Sequence, residues 1–121
     1  MDIYREEVMD HYEHPRNQGE LVGERVVSEE TTNASCGDMV RFYLKVENGK
    51  ILEAKWKGVG CAITTASASK LSEYLPGKLL RDLQGMSEEE LAQEGVGLEV
   101  NAGRLKCLML PVNAVKRLVQ S

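Results

Sequence analysis

A strict alternation of apolar and polar residues marks the middle of the chain. The apolar positions are Val40, Phe42, Leu44 and Val46. Their period of two predicts a β-strand with one buried face. The dipeptide Asn48-Gly49 follows and is the strongest short signal for a β-hairpin. With the extended segments "ERVVSEETT" before it and "ILEAKWKGVG" after it, the pattern predicts a three-stranded antiparallel sheet.

The segments on either side of this sheet have the composition and spacing of helices. Residues 2–13 carry apolar side chains at near-helical spacing and are followed by the breakers of "HPRNQG". A stretch rich in Ala, Ser and Thr predicts a closely packed helix from near Cys61 to just before Pro76. Four of its hydroxyls are expected to bond to the helix's own backbone, namely those of Thr64, Thr65, Ser67 and Ser69. Ser87, with Glu90 three places later, has the pattern of a capping box for a short helix.

The last predicted element is an amphipathic helix over "GRLKCLMLPVNAVKRLVQS". Its apolar stripe at i, i+3 and i+4 consists of Leu105, Leu108, Met109, Val112, Val115, Leu118 and Val119. Pro111 lies inside this stripe and predicts a kink, because proline has no backbone N–H to donate. The order of helix, strands and helices predicts the α+β class, with a small three-stranded antiparallel sheet packed against helices.

Length and composition restrict the range of functions. The 121 residues predict one domain over 1–121, and the net charge of −4 makes nucleic acid an improbable partner. No apolar run is long enough to span a membrane, and the amino-terminal "MDIYREEVMD" is acidic where a signal peptide is basic. We therefore expect a cytoplasmic protein that does not act at a membrane. Its three cysteines are expected to be free thiols in that reducing compartment.

The three cysteines all stand at junctions between predicted elements. Cys36 lies between two strands, Cys61 where a Gly-Val-Gly turn enters a helix, and Cys107 near the start of the last helix. Asp38 shares a face with Cys36 in an extended stretch. Three thiolates and a carboxylate suit zinc, and they equally suit a 2Fe–2S cluster with a weaker fourth ligand. Spacing alone favours the plainer alternative of three small buried side chains, because the sequence contains no C-x-x-C pair.

Four motifs nevertheless resemble, in order, those of the iron–sulfur cluster assembly scaffold family (the IscU, SufU and NifU amino-terminal type). They are "HYEHPRNQGEL", "NASCGD", "GVGCAITTASAS" and "GRLKCLMLP". The resemblance implies a SufE/NifU-like α+β fold. It also implies that Cys36, Cys61 and Cys107 hold zinc or a nascent cluster and that Asp38 completes the site and makes the cluster transferable. Family members receive persulfide sulfur from a cysteine desulfurase, combine it with iron and pass the cluster to acceptor proteins.

The chain also departs from the family pattern. The family's IscU type has a histidine before the third cysteine and a Leu-Pro-Pro-Val-Lys segment for an Hsp70-type chaperone. Here Lys106 and "LEVNAGR" stand in those places, so we do not expect that chaperone. SufU-type members carry an insertion between the second and third cysteines, for which the 46 positions from Cys61 to Cys107 leave no room. Ala34 stands where the family usually has proline, so we expect a looser loop before Cys36 with no ligand removed.

These observations lead to one main hypothesis and two alternatives. The main hypothesis is a non-enzymatic scaffold that assembles a 2Fe–2S cluster, with one unassigned cysteine among Cys36, Cys61 and Cys107 accepting persulfide. The first alternative is a zinc-dependent sulfurtransferase that uses the same four residues. The second is a structural zinc domain, or a plain interaction module, without sulfur chemistry. Lys106 either screens the charge of the site or is an ordinary solvated lysine.

Overall fold

The computed structural model describes residues 3–34 and 37–120 of the chain. The elements in these ranges are, in order, α1 (Ile3–Glu13), β1 (Val26–Asn33), β2 (Asp38–Glu47), β3 (Lys50–Val59), α2 (Ala62–Tyr74), α3 (Leu80–Gln84), α4 (Glu88–Leu91) and α5 (Leu105–Gln120). A π-helical turn (Ala92–Val96) follows α4, and a 3₁₀ turn (Ala102–Arg104) precedes α5. The α+β class predicted from the sequence is confirmed.

The three strands form one antiparallel sheet in the order β1-β2-β3. Strand β2 covers the alternating segment from Asp38 to Glu47. The turn into β3 is made by Asn48 with φ 53° and Gly49 with φ 76°. Positive φ at both central residues is what a two-residue hairpin turn requires, because it matches the twist of the strands. The predicted hairpin is therefore confirmed.

One face of the sheet forms the core together with the helices. Val40, Phe42 and Leu44 on β2 are at most 1% exposed, whereas the residues between them are half-buried on the opposite face. Helices α2 and α5 pack on the sheet, and α1 packs on α2. Burying a large apolar side chain of this kind stabilises a protein by about 1.5–3 kcal/mol, so the alternating pattern itself fixes which side of β2 faces the helices.

Helix α2 packs closely, as its small residues predict, but its hydroxyls are not all bonded to their own helix. Ser67 Oγ donates to the backbone carbonyl of Leu108 on α5 at 2.7 Å. Ser69 Oγ lies 2.6 Å from Nδ1 of His11 on α1. Both serines are fully buried, so each hydroxyl binds a group of the neighbouring helix that lies against it. The expectation of bonds to the helix's own backbone is therefore wrong for Ser67, whereas Ser72, which it did not include, donates to the carbonyl of Ser69 at 2.6 Å.

The second half of the chain combines confirmed and unpredicted features. The capping box is confirmed, since the Ser87 hydroxyl accepts from Glu90 N and the Glu90 carboxylate accepts from Ser87 N, both at 3.1 Å. Helix α3 was not predicted, because five residues are too few to show a helical period. Helix α5 continues across Pro111, which does not end it. In residues 3–34 and 37–120, no helix is both long and apolar enough to cross a membrane.

Candidate metal centre

Three of the four predicted site residues meet at one end of the sheet. Asp38 is the first residue of β2, Cys61 immediately precedes α2, and Cys107 lies in the first turn of α5. One carboxylate oxygen of Asp38 and the Sγ atoms of Cys61 and Cys107 all lie within 4.8 Å of one another. Cys36, the fourth predicted residue, lies outside the described residues.

Strand register and helix packing explain why these residues converge. Met39 at the start of β2 pairs with Val59 at the end of β3, so Asp38 lies beside the turn that leads into Cys61. Helix α5 packs on β1, β2 and α2 and thereby brings Cys107 to the same end. Sequence separation is therefore no obstacle to a common site, since the three positions are neighbours only through the sheet and the final helix.

Gly60 leaves the space in which the Asp38 side chain lies. A Cβ atom at Gly60 would be 3.0 Å from Asp38 Oδ2 and 2.9 Å from Cβ of Thr64. Both distances are shorter than normal carbon contacts, so a side chain here would displace its neighbours. The space beside this glycine is taken by the side chains of Asp38 and Thr64.

Thr64 joins the site although the sequence analysis assigned it no chemistry. Its hydroxyl donates to Asp38 Oδ2 at 2.9 Å and lies 3.5 Å from Cys61 Sγ. Thr64 is 1% exposed and Asp38 is 8% exposed, so this contact is shielded from water. The backbone N–H of Cys61 lies 3.5 Å from the same carboxylate oxygen. The sequence offers one indication that Thr64 lies at the site, since Thr64 comes one helical turn after Cys61.

The two thiols have pKa values shifted in opposite directions. Burial raises the pKa of Cys61, but hydrogen bonds from the backbone N–H of Thr64, from Cys107 and from the backbone N–H of Ile63 favour the thiolate, and the pKa of Cys61 lies below its ordinary value. Burial raises the pKa of Cys107, and the neighbouring Cys61 raises it further. Cys61, which precedes the first turn of α2, is therefore the first of the two to become a thiolate.

The donor set suits a thiophilic metal. In a tetrahedral zinc site with Zn–S bonds of about 2.3 Å, two sulfurs lie about 3.8 Å apart, which is within the 4.8 Å limit seen here. Two thiolates and a carboxylate leave one position of a tetrahedron for a further ligand. Zinc and iron both accept such donors, so the three described residues fit either metal.

The rim of the site combines exposed apolar and basic side chains. Val59, two residues before Cys61, is 64% exposed, and Leu105, two residues before Cys107, is 50% exposed. Arg104 and Lys106 are exposed, and Lys106 lines an open cleft of about 500 Å³ that Ala34 and Asn113 also line. Whether Lys106 screens the charge of the site stays a prediction.

The two histidines have different surroundings. His11 is buried between α1 and α2, where its Nδ1 contacts Ser69 and its Nε2 lies 3.7 Å from a carboxylate oxygen of Glu73. His14 is exposed after the end of α1. The described contacts of His11 therefore belong to the packing of the first helix.

The fold and the site together define a class of small α+β proteins in which thiolates and a carboxylate from separate elements meet at one end of a three-stranded sheet. Residues 3–121 match the model of the NifU-like N terminal domain, and the chain belongs to this family. The resemblance inferred from the four sequence motifs is thereby confirmed.

Relatives of both types discussed above are found. The iron–sulfur cluster assembly scaffold protein IscU of Haemophilus influenzae is 36% identical over 120 residues, covering 93% of this chain and 90% of that protein. The zinc-dependent sulfurtransferase SufU of Bacillus subtilis is 38% identical over 86 residues, covering 71% of this chain and 57% of that protein. Among solved structures, a candidate SUF-system cluster assembly scaffold from Fervidobacterium islandicum matches with a TM-score of 0.75 at 25% identity, covering 94% of each chain.

Proposed function

We propose that the protein is an iron–sulfur cluster assembly scaffold. The observation that carries this proposal is the convergence of Asp38, Cys61 and Cys107 within 4.8 Å in a chain of the NifU-like N terminal domain family. The scaffold relatives that match more than nine-tenths of the chain support the same function. In this proposal the whole of residues 1–121 acts as one scaffold domain.

The proposed ligand set is Cys36, Asp38, Cys61 and Cys107. Cys36 precedes Asp38, the first residue of β2, by two residues in the sequence. It would supply the third thiolate and complete the tetrahedral set. The hard carboxylate among soft thiolates gives the site one weaker ligand, which suits a cargo that must leave. The proposed cargo is iron and sulfide assembled as a 2Fe–2S cluster, and zinc binds the same donors when iron is absent.

Sulfur is proposed to arrive as a persulfide from a cysteine desulfurase. A thiolate of the site attacks the terminal sulfur, the S–S bond of the desulfurase persulfide breaks, and the desulfurase cysteine leaves as a thiolate. Cys61 is the better candidate of the two described cysteines, because its pKa is lowered and that of Cys107 is raised. Reducing the transferred persulfide to sulfide takes two electrons from an external thiol or similar reductant.

The partners implied are the desulfurase and proteins that accept the finished cluster. The chemistry needs reduced thiols and so fits a reducing compartment such as the cytoplasm. We propose a scaffold rather than an enzyme, since the cluster is assembled on the protein and handed on. The segment at Leu98–Arg104 lacks the Leu-Pro-Pro-Val-Lys sequence, so an Hsp70-type chaperone is not among the proposed partners.

A zinc-dependent sulfurtransferase is the second candidate. The Bacillus subtilis relative with that name is 38% identical over 86 residues, which is the observation in its favour. In this alternative zinc stays bound by the same residues, and one cysteine leaves the metal to accept the persulfide. The scaffold proposal is preferred because its relatives match over more of the chain.

An anaerobic reconstitution tests the two candidates against each other. Metal-free protein is incubated with ferrous iron, cysteine, dithiothreitol and a catalytic amount of desulfurase, and the absorption spectrum is followed. A scaffold develops sulfide-to-iron charge-transfer bands with a stoichiometry of two irons per site. The bands should be lost when any one of Cys36, Cys61 and Cys107 is replaced by alanine.

The control is Asp82→Ala, which removes an exposed carboxylate on α3 away from the site. This variant should assemble a cluster like the unmodified protein. If no bands form, while zinc-loaded protein accelerates the desulfurase, the sulfurtransferase candidate replaces the scaffold. If neither activity is present, both candidates fail.

A further inference from the structure

The Thr64 hydroxyl touches two of the proposed ligand residues at once. It lies 2.9 Å from Asp38 Oδ2 and 3.5 Å from Cys61 Sγ, and Thr64 is 1% exposed. A hydroxyl has one hydrogen to donate, and the shorter distance assigns it to the carboxylate. The oxygen of Thr64 then faces the cysteine sulfur. One side chain thus fixes a carboxylate and a thiol relative to each other.

The bond between Thr64 and Asp38 is present in the arrangement that already brings the three donor groups together. The ligand atoms of Asp38, Cys61 and Cys107 lie within 4.8 Å of one another while Thr64 holds Oδ2. A carboxylate has two oxygens and about four acceptor positions, so binding one donor does not prevent it from binding a metal. The hydrogen bond is therefore compatible with metal binding and does not have to break first.

We propose that Thr64 is a positioning residue of the metal site, which orients the Asp38 carboxylate toward the space between the two cysteines. This inference rests on the site proposed above and deepens it. Partners that orient a metal ligand commonly change metal affinity by 10–100-fold when they are removed. Among residues 3–34 and 37–120, the other donor near the buried Asp38 carboxylate is the Cys61 N–H at 3.5 Å, a distance that is too long for a strong hydrogen bond.

The surroundings of Gly60 show that the side chains of Asp38 and Thr64 have little room to move. The space beside Gly60 is filled by Asp38 Oδ2 and by Cβ and Cγ2 of Thr64, all within about 3 Å of where a Cβ would be. The methyl group of Thr64 thus packs while its hydroxyl binds. Valine has nearly the shape of threonine without the hydrogen bond, so Thr64→Val removes the orienting contact and keeps the packing.

The test compares Thr64→Val with Thr64→Ser, which keeps the hydroxyl, and with Thr65→Val on the same helix. The full chain is loaded with Zn²⁺, and its affinity is measured by competition with a chromophoric chelator. Co²⁺ is then bound in place of Zn²⁺, since its d–d and thiolate charge-transfer bands report ligand geometry at equal occupancy. We expect Thr64→Val to weaken zinc binding by about 10–100-fold and to alter the Co²⁺ bands. Thr64→Ser and Thr65→Val should resemble the unmodified protein.

A background of Asp38→Ala separates orientation from a general effect on the fold. If Thr64 acts through Asp38, adding Thr64→Val to Asp38→Ala produces no further loss of zinc affinity. An equal loss in both backgrounds would mean that Thr64 supports the fold only, and the proposal would be overturned. Tighter zinc binding by Thr64→Val would overturn it as well, because the hydroxyl would then compete with the metal. If the unmodified chain binds no Zn²⁺, the site itself fails and the inference fails with it.

Discussion

Replacing Ser67 with alanine should destabilise the protein through a single backbone carbonyl on another helix. Ser67 is fully buried in α2, and its hydroxyl donates to Leu108 O at 2.7 Å. Pro111 has no N–H, so the carbonyl of Cys107, four residues earlier, lacks its usual helical donor. This turn of α5 therefore contains one backbone N–H donor fewer than an ordinary helix. The Ser67 hydroxyl supplies a donor to the carbonyl of the next residue.

The magnitude follows from what alanine leaves behind. In the hydrogen-bonding pattern of a helix the N–H of Val112 also faces the Leu108 carbonyl, so alanine removes one hydrogen bond, whose net contribution to stability is about 0.5–1.5 kcal/mol. For a chain of 121 residues, where 1 kcal/mol corresponds to about 4 °C, the melting temperature should fall by about 2–6 °C. The loss should appear at the urea midpoint without a change in the m-value, since the surface exposed on unfolding stays the same.

The measurement is urea and thermal unfolding of metal-free protein, with Ser28→Ala as the control. Ser28 is exposed and its hydroxyl accepts from Arg41 at 2.7 Å, so its loss should change stability by no more than about 0.5 kcal/mol. A Ser67→Ala variant that is as stable as the control would refute the reasoning. It would mean that the Leu108 carbonyl finds another donor or that the helix relaxes around it.

Three further predictions concern the site and the first helix. Asp38→Ala should still assemble a cluster but transfer it to an acceptor more slowly, and unchanged transfer kinetics would contradict a role in release. Burial is the main cause that lowers the pKa of His11, whose ring contacts Ser69, so the unfolded chain takes up its proton first. Stability should therefore fall as the pH drops below about 6.5, and His11→Asn should flatten this dependence in urea titrations at several pH values. Gly60→Ala should weaken zinc binding by at least about tenfold, since its Cβ would meet Asp38 Oδ2 at 3.0 Å. Gly85→Ala, where the nearest such contact is 3.7 Å, serves as its control, and equal zinc affinities would refute the steric argument.

The sheet was predictable because its signals are local. The alternation in β2 and the Asn48-Gly49 turn each occupy a few consecutive residues, and both appear in the structure where the sequence places them. Helix α3 was not predictable in the same way, since its five residues from Leu80 are held by the surrounding chain. Lys116 is one such contact, because its ammonium group donates to the carbonyls of Leu83 and Met86 at that helix's end.

The site was predictable in part. The sequence marked the three cysteines and Asp38 as candidate ligands, and the structure brings Asp38, Cys61 and Cys107 within 4.8 Å of one another. The distance between them depends on how α5 packs across the sheet, which no local pattern determines. Thr64 was missed for a related reason. A threonine in a helix usually bonds to its own backbone, and only the tertiary fold brings the carboxylate of Asp38 to its hydroxyl.

The distribution of the described donors over three elements has a consequence for the order of events during synthesis. Asp38 and Cys61 are separated by 23 positions, and Cys61 and Cys107 by 46. Contacts between such distant positions form only after the strands have paired and the final helix has docked. A partly synthesised or partly folded chain therefore presents separate thiols, each of which binds a metal weakly. In the proposed scaffold, metal binding therefore depends on complete folding, and only completely folded molecules can accept sulfur at a metal-loaded site.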